Sequence, residues 1–291
     1  MSEEKQTKKV GLALGGGGAK GIAHIGVIKE LERCGVEISF ICGTSMGALI
    51  GGIYAATGDI QFLEDFFLSI QKDDIFPATH MMRKKDGEVF KHSLLEKIEG
   101  KIRGIKIQDT KIPFSAIATD VETGDEIVLR EGDLLNAIKA STALPLVFPP
   151  IRIDERLLMD GGFVNPVPAD VVRGMGAECI IAVDVSSKWV NLEKETSLNP
   201  MRVYSMLPHA LSIVEYQLAR TVLKEADVIL RPSVLGYRWN DFEFGKEFMR
   251  LGTKETREHM EEIYKKIGIT PPKKKPFDTF ADLIFYGIDS E

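Results

Sequence analysis

The most informative stretch of the sequence is residues 9–56, which read KVGLALGGGGAKGIAHIGVIKELERCGVEISFICGTSMGALIGGIYAA. Residues 9–14 and 38–42 are short apolar runs and predict buried strands, whereas residues 22–33 carry apolar side chains every third position and predict a helix. Residues 48–56 predict a second, apolar helix. Because each strand is followed by a helix, the pattern indicates an α/β protein in which helices cover a parallel sheet.

Similar patterns continue along the rest of the chain. Helices are predicted at residues 136–140, 204–224 and 247–266, and residues 59–110 are expected to be mostly helical. Strands are predicted at residues 113–120, 125–130, 179–185 and 226–232, the first two of them paired, with a hairpin at residues 151–159 that turns at Asp154 and Glu155. One large domain accommodates all of these elements within 291 residues.

The composition narrows the class of function. The chain has 44% hydrophobic and 27% charged residues and a net charge of −6, which is typical of a globular protein and lacks the basic surplus of a nucleic-acid-binding protein. Its three cysteines fit neither a disulfide framework nor a metal site. No secretory signal and no run of about twenty apolar residues is present. We therefore expect a cytoplasmic protein without nucleic-acid partners, whose membrane contact would be peripheral, at the inner face; homo-oligomerisation is left open.

The pentad Gly43-Thr44-Ser45-Met46-Gly47 matches G-x-S-x-G and lies between a predicted strand and a predicted helix. A serine on such a sharp turn exposes its hydroxyl at the corner of the sheet, and a side chain at either glycine would clash. The helix N-terminus brings N–H groups, that of Met46 among them, and a partial positive charge beside the hydroxyl. Ser45 is therefore the candidate nucleophile, and a chance match among 27 glycines is the alternative.

A glycine-rich loop at residues 15–21, GGGGAKG, follows the first predicted strand. Such loops expose several backbone N–H groups toward one point and bind a phosphate or the oxyanion of a tetrahedral intermediate. Gly16, Gly18 and Gly21 also satisfy G-x-G-x-x-G, but the acidic residue that a dinucleotide site needs after the second strand is missing. We therefore assign the N–H groups around Gly16, Gly17 and Gly18 to an oxyanion hole, with that of Met46 as a further candidate donor.

A serine nucleophile needs a base. Asp160 ends the predicted hairpin and precedes Gly161 and Gly162, so burial would raise its pKa and its basicity. An ordinary Asp-Gly turn is the alternative. His209 and His259 follow in the chain, but neither has a supporting motif. Asp160 is therefore the candidate base.

Two basic residues accompany the glycine-rich loop. Lys20 is either a cation near the oxyanion or a lipid phosphate, or a solvated lysine at a helix start. His24, on the following helix, is expected to be a packed or surface residue rather than a base.

Three motifs together resemble the patatin-like phospholipase family, in particular its bacterial branch related to neuropathy target esterase. They are the glycine-rich loop, the serine pentad and the sequence Asp160-Gly161-Gly162. Supporting stretches are residues 21–27 (GIAHIGV), 141–145 (STALP), 148–150 (FPP) and 165–168 (NPVP). The resemblance covers residues 8–186 and continues more weakly to about residue 266.

The resemblance implies a three-layer α/β/α fold with a mainly parallel central sheet in a domain spanning residues 8–266. It implies a dyad of Ser45 and Asp160 that acts without histidine, metal or cofactor, and an oxyanion hole in the glycine-rich loop. The motif glycines are Gly21, Gly43, Gly47, Gly161 and Gly162. The implied activity is hydrolysis of acyl esters of phospholipids, lysophospholipids or neutral lipids, with acyl transfer to another acceptor as a variant.

The sequence leaves two further questions open. A non-catalytic protein could use the glycine-rich loop to bind a nucleotide or the phosphate of a lipid headgroup, but such a protein would not need a paired serine and aspartate. In the tail, residues 267–291, a lysine cluster precedes apolar side chains that would either touch an anionic membrane surface or pack onto the domain or a second subunit. These side chains are Phe280, Leu283, Ile284, Phe285 and Tyr286.

Overall fold

The computed structural model describes residues 8–70, 93–145, 147–186 and 213–270. Within them the strands are β1 (Val10–Leu14), β2 (Ile38–Thr44), β3 (Phe114–Asp120), β4 (Glu126–Leu129), β5 (Ile151–Ile153), β6 (Arg156–Asp160), β7 (Cys179–Val183) and β8 (Val228–Leu230). The helices are α1 (Ala23–Arg33), α2 (Met46–Thr57), α3 (Ile60–Ser69), α4 (Ser93–Ile102), α5 (Leu134–Ser141), α6 (Ala169–Gly174), α7 (residues 213–222) and α8 (Gly245–Ile267). The predicted alternation of strands and helices is confirmed.

One sheet carries all eight strands of the described residues, in the order β5-β6-β3-β2-β1-β7-β8, with β4 also paired to β3. The strands from β3 to β8 along this order are parallel. At the other end of the sheet, β4 and β6 each pair with β3 in antiparallel orientation, and β5 pairs with β6 in the same way. The prediction of a mainly parallel central sheet is confirmed, as is the pairing of β3 with β4.

Helices cover both faces of the sheet. Side chains alternate along a strand, so Leu12 and Leu14 of β1 point into the core that contains α1 and α2. Ala13 points the other way, into a second core with α6 and α7. Gly11 shares that second face, and a Cβ there would lie 2.1 Å from Val172 Cγ1, so α6 packs directly on the strand. This arrangement is the expected α/β/α fold.

Helix α8 crosses α1 at two glycines. A Cβ on Gly26 would lie 1.9 Å from the carbonyl oxygen of Met249, and one on Gly252 would lie 2.0 Å from that of Ala23. The two backbones therefore touch, and the highly charged helix 247–266 of the sequence is fixed to the domain. None of the described helices combines the length and the apolarity that a membrane span requires.

Several boundaries differ from the predictions. The strand predicted at 226–232 is confined to Val228–Leu230, because the N–H of Arg231 donates to Glu255 instead of continuing the ladder. A 3₁₀ turn at Gly18–Ile22 precedes α1. The hairpin turn is confirmed, with Asp154 at φ 49°. The first part of the helix predicted at 204–224 and the tail side chains from Phe280 onward lie outside the described residues.

Candidate active site

Ser45 lies on the turn between β2 and α2, at the end of a central strand. Its backbone has φ 53° and ψ −120°, which is a strained conformation for a residue with a side chain. Two hydrogen bonds hold the turn. The N–H of Ser45 donates to Ser141 Oγ at 2.9 Å, and Thr44 Oγ1 donates to the carbonyl of Asn165 at 2.7 Å.

The two glycines of the pentad allow this turn to form. A Cβ on Gly43 would lie 2.3 Å from the carbonyl oxygen of Gly47, and a Cβ on Gly47 would lie 2.1 Å from that of Leu14. Both distances are shorter than any Cβ contact that a folded chain tolerates. The clash that the sequence predicted at these positions is confirmed.

Asp160 is the last residue of β6, and its side chain contacts that of Ser45. Ser45 Oγ donates to Asp160 Oδ2 at 2.6 Å, and the N–H of Gly162 donates to Oδ1 at 2.8 Å. The backbone of Asp160 is also fixed, because its N–H donates to the carbonyl of Ala143 and its carbonyl accepts from Thr119 Oγ1. The structure thus brings together two residues separated by 115 positions in the chain.

Burial sets the electrostatics of this pair. Asp160 is only 2% exposed, and the loss of water raises the pKa of its carboxyl to about 6, against the opposing effect of the Ser45 and Gly162 hydrogen bonds. Near neutral pH the carboxylate is therefore mostly ionised, yet it is more basic than an exposed aspartate. This is the state that a general base requires.

The glycine-rich loop presents fewer N–H groups than the sequence predicted. The N–H of Gly16 donates to the carbonyl of Pro166 at 2.9 Å, so its assignment as an oxyanion donor is wrong. Within the described part of the chain, the N–H groups of Gly17, Gly18 and Met46 have no acceptor. Gly18 has φ 59°, and a Cβ there would lie 2.3 Å from the carbonyl oxygen of Trp239, so only glycine fits.

The remaining motif glycines are sites of close approach. A Cβ on Gly21 would lie 2.5 Å from Met46 Cγ, which keeps the loop against the start of α2. A Cβ on Gly161 would lie 2.4 Å from the carbonyl oxygen of Ile117, so the chain after Asp160 runs along β3. A Cβ on Gly162 would lie 2.5 Å from Oε1 of Glu215.

His24 and Lys20 are both buried. His24 Nε2 donates to the carbonyl of Gly15 at 2.7 Å, and burial lowers the pKa of His24 to about 4, so the ring is neutral and supports the loop, as expected for a packed histidine. Lys20 is 3% exposed, so the alternative of a solvated lysine is wrong. Burial lowers the pKa of Lys20, and the charges of Glu215 and Asp184 oppose that effect.

Glu215, on α7, lies beside this site although no sequence pattern points to it. It is one glutamate among many on predicted helices, and no local motif distinguishes it. Only the packing of α7 against the loop after β6 brings its carboxylate next to Gly162. Among the residues that the structure describes, no group of three or more His, Cys, Asp or Glu side chains is arranged to hold a metal ion.

Comparison with known proteins identifies the family of this chain. The model of the patatin-like phospholipase family matches residues 12–173, which is more than half of the chain. The chain belongs to the patatin-like phospholipase family. The resemblance drawn from the three sequence motifs is therefore confirmed.

Several relatives are similar over part of their length. The chain is 33% identical over 288 residues to patatin-like phospholipase domain-containing protein ZK370.4 of Caenorhabditis elegans, covering 87% of this chain and 21% of the relative. It is 36% identical over 178 residues to an uncharacterised NTE family protein of Mycobacterium tuberculosis, covering 61% and 49%. The human patatin-like phospholipase domain-containing protein 6 is 36% identical over 191 residues, with 62% and 13% covered. This chain spans less than half of the length of each of these relatives.

Two solved structures are distantly similar. One is human GIVD cytosolic phospholipase A2, at 11% identity and a TM-score of 0.49, covering 92% of this chain and 61% of that one. The other is VipD from Legionella pneumophila, at 13% identity and a TM-score of 0.48, covering 89% and 67%.

Proposed function

We propose that this protein is a serine lipid acyl hydrolase in which Ser45 is the nucleophile and Asp160 is the base. The observation that carries the proposal is the 2.6 Å hydrogen bond from Ser45 Oγ to the buried carboxylate of Asp160. Family membership and the printed names of the relatives, which are phospholipase domain-containing proteins, support a lipid ester as substrate.

The first half of the reaction forms an acyl-enzyme. Asp160 takes the proton of Ser45 as Oγ attacks the ester carbonyl, and the new C–O bond leaves a negative charge on the former carbonyl oxygen. The N–H groups of Gly17, Gly18 and Met46 are the donors that we assign to this oxyanion, and one such donor contributes about 3 kcal/mol to the rate. The tetrahedral intermediate then expels the alcohol, which receives the proton from Asp160.

The second half releases the fatty acid. Water attacks the acyl carbon while Asp160 accepts one of its protons, and Ser45 Oγ recovers that proton as the acyl–oxygen bond breaks. Asp160 thus acts as base and acid in turn, and a pKa near 6 suits both roles at neutral pH. No metal or cofactor takes part in this scheme.

An apolar pocket that is lined by the residue before Asp160 suits an acyl chain. It has a volume of about 410 Å³ and includes Val121, Pro145, Phe148 and Met159 among its lining residues. Met159 precedes Asp160 in β6, and Ala143, which also lines the pocket, accepts the Asp160 N–H. Apolar lining of this extent favours a hydrocarbon chain over a polar ligand.

The burial of Lys20 bears on the alternative function. A protein that binds a nucleotide or a headgroup phosphate at the glycine-rich loop would present a cation toward the ligand, whereas Lys20 is buried and faces carboxylates. The paired Ser45 and Asp160 would also have no role in such a protein. We therefore do not assign Lys20 to a headgroup phosphate.

The experiment that tests the proposal is labelling with a fluorophosphonate probe, with the modified peptide identified by mass spectrometry. We expect modification of Ser45 in the wild type and release of fatty acid from a panel of phospholipids, lysophospholipids and neutral lipids. Both should be lost in Ser45→Ala. Ser39→Ala, a change to a half-buried serine of β2, the strand that precedes Ser45, is the matched control and should behave as the wild type.

A folded wild-type protein in which Ser45 is not modified would remove the basis of the proposal. Undiminished fatty-acid release by Ser45→Ala would do the same. Labelling without hydrolysis of any lipid in the panel would retain the activated serine but contradict the lipid substrate.

A further inference from the structure

A second carboxylate lies beside the Ser45–Asp160 pair and has no role in the scheme above. Glu215 reaches from α7 to Gly162, the residue whose N–H donates to Asp160 Oδ1. The point that a Cβ on Gly162 would occupy is 2.5 Å from Glu215 Oε1 and 3.2 Å from Asp160 Oδ1. The absence of a side chain at Gly162 therefore leaves room for two carboxylates that approach the same point.

Charged groups on three elements of the described structure lie near Glu215 or near its neighbour Lys20. Asp160, at the end of β6, repels it, and Lys20, in the 3₁₀ turn after the glycine-rich loop, attracts it. Asp184, which follows β7, also faces Lys20, but Arg231 Nε approaches Asp184 Oδ2 at 3.3 Å and offsets its charge. Lys20 is thus the cation that opposes the repulsion between Glu215 and Asp160.

We propose that Glu215, which lies beside Gly162 and is attracted by Lys20, is a positioning residue whose charge sets how strongly Asp160 attracts the proton of Ser45. A negative charge on Glu215 makes Asp160 a stronger base, because two neighbouring carboxylates each oppose the ionisation of the other. Glu215 does not touch the reacting atoms in this role. The inference rests on the proposed function, since it presumes that Asp160 is the base.

The ionisation of Glu215 falls near neutral pH. Burial, together with the charge of Asp160, raises the pKa of Glu215 to about 7 against the attraction of Lys20. Asp160, with its pKa near 6, loses its proton first. The pair therefore passes from an inactive doubly protonated state to a weakly active state and then to a fully active state as the pH rises.

The test is the rate of fluorophosphonate labelling of Ser45 in the full chain, measured from pH 5 to pH 8.5. We expect the wild-type rate to rise through two ionisations. In Glu215→Gln the upper ionisation is absent, so the rate levels off near pH 7 several-fold below the wild type, while the two proteins agree below pH 6, where Glu215 is protonated. Glu225→Gln is the matched control, because Glu225 is an exposed glutamate just beyond the same helix and should leave both ionisations in place.

Two further variants make the test independent of a single substitution. Glu215→Asp keeps the charge and should keep two ionisations. Lys20→Met removes the attracting cation, so the upper ionisation should move to higher pH. Superimposed profiles for Glu215→Gln and wild type would overturn the inference, and so would a loss by the same factor at every pH, which indicates a purely structural role. Failure of the wild type to label at Ser45 would instead contradict the proposed function.

Discussion

Two buried carboxylates of this protein have the same exposure and opposite surroundings. Glu30 on α1 and Asp160 at the end of β6 are each 2% exposed. Glu30 accepts hydrogen bonds from the guanidinium groups of Arg33 and Arg257, at 2.6 to 3.3 Å. Asp160 has no cation within hydrogen-bonding distance among the described residues and accepts from one hydroxyl and one backbone N–H.

The difference separates a carboxylate whose charge is compensated within the fold from the one that we propose as the base. Glu30 joins α1 to α8, and its charge is compensated on both sides. The charge of Asp160 is left without a direct counter-ion, so its pKa is raised and its affinity for a proton is retained. Substitution at the two sites should therefore affect different properties, activity at Asp160 and stability at Glu30.

The largest effect is expected from Asp160→Asn on catalysis. The amide keeps the shape of the carboxyl group but cannot accept the proton of Ser45, so labelling and ester hydrolysis should fall by roughly a hundredfold to ten-thousandfold. The midpoint of urea unfolding should not decrease. The contrast between the two carboxylates would be lost if Asp160→Asn unfolded as readily as a Glu30 variant while retaining its activity.

Glu30→Ala should produce the opposite pattern. The substitution leaves the guanidinium of Arg257, whose side chain is 12% exposed, without this carboxylate, and breaking a buried ion pair costs about 3–5 kcal/mol of unfolding free energy. Labelling of Ser45 in the folded protein should be unchanged. Glu258→Ala is the control on the same helix α8, because Glu258 is exposed, approaches Lys254 only at 3.8 Å, and should contribute less than about 1 kcal/mol.

The pH dependence of stability should distinguish Asp160 from its amide. The pKa of Asp160 is raised from 3.8 to about 6 in the folded state, so the folded protein binds the proton more tightly than the unfolded chain does. The stabilisation from this proton is complete below about pH 4 and is lost as the pH rises through 6. Asp160→Asn should therefore be more stable than wild type by about 3 kcal/mol at pH 7, and the two should converge toward pH 4.

Urea titrations at four pH values between 4 and 7.5 measure this difference directly. A wild-type protein that gains stability relative to Asp160→Asn as the pH rises would show that the carboxylate is compensated in the folded state, as Glu30 is. Equal curves at every pH would show that Asp160 is not buried as described.

Local patterns were sufficient to predict most of the fold and the proximity of Ser45 and Asp160. A buried strand such as β1 needs apolar side chains, and the turn at Ser45 needs glycines on both sides. Both features are therefore visible in the sequence. Asp160 is visible because two glycines follow it and a hairpin precedes it. Two other features of the site depend on residues more than fifty positions apart in the chain. They are the hydrogen bond from the Gly16 N–H to Pro166 and the approach of Glu215 to Gly162. No local pattern carries that information.

The smallest effect is expected at Ser141, whose side chain forms a hydrogen bond with the backbone of Ser45. Ser141 is fully buried at the end of α5, and its Oγ accepts the N–H of Ser45, whose φ of 53° needs such support. Ser141→Ala leaves that N–H without its acceptor, which should cost about 1–3 kcal/mol and lower the labelling rate several-fold as the turn relaxes. Ser115→Ala is the control, because this buried serine donates only to the thioether of Met175, at 3.6 Å. Equal losses in the two variants would mean that the turn of Ser45 is held by its glycines alone, and the strain would then belong to the backbone rather than to this hydrogen bond.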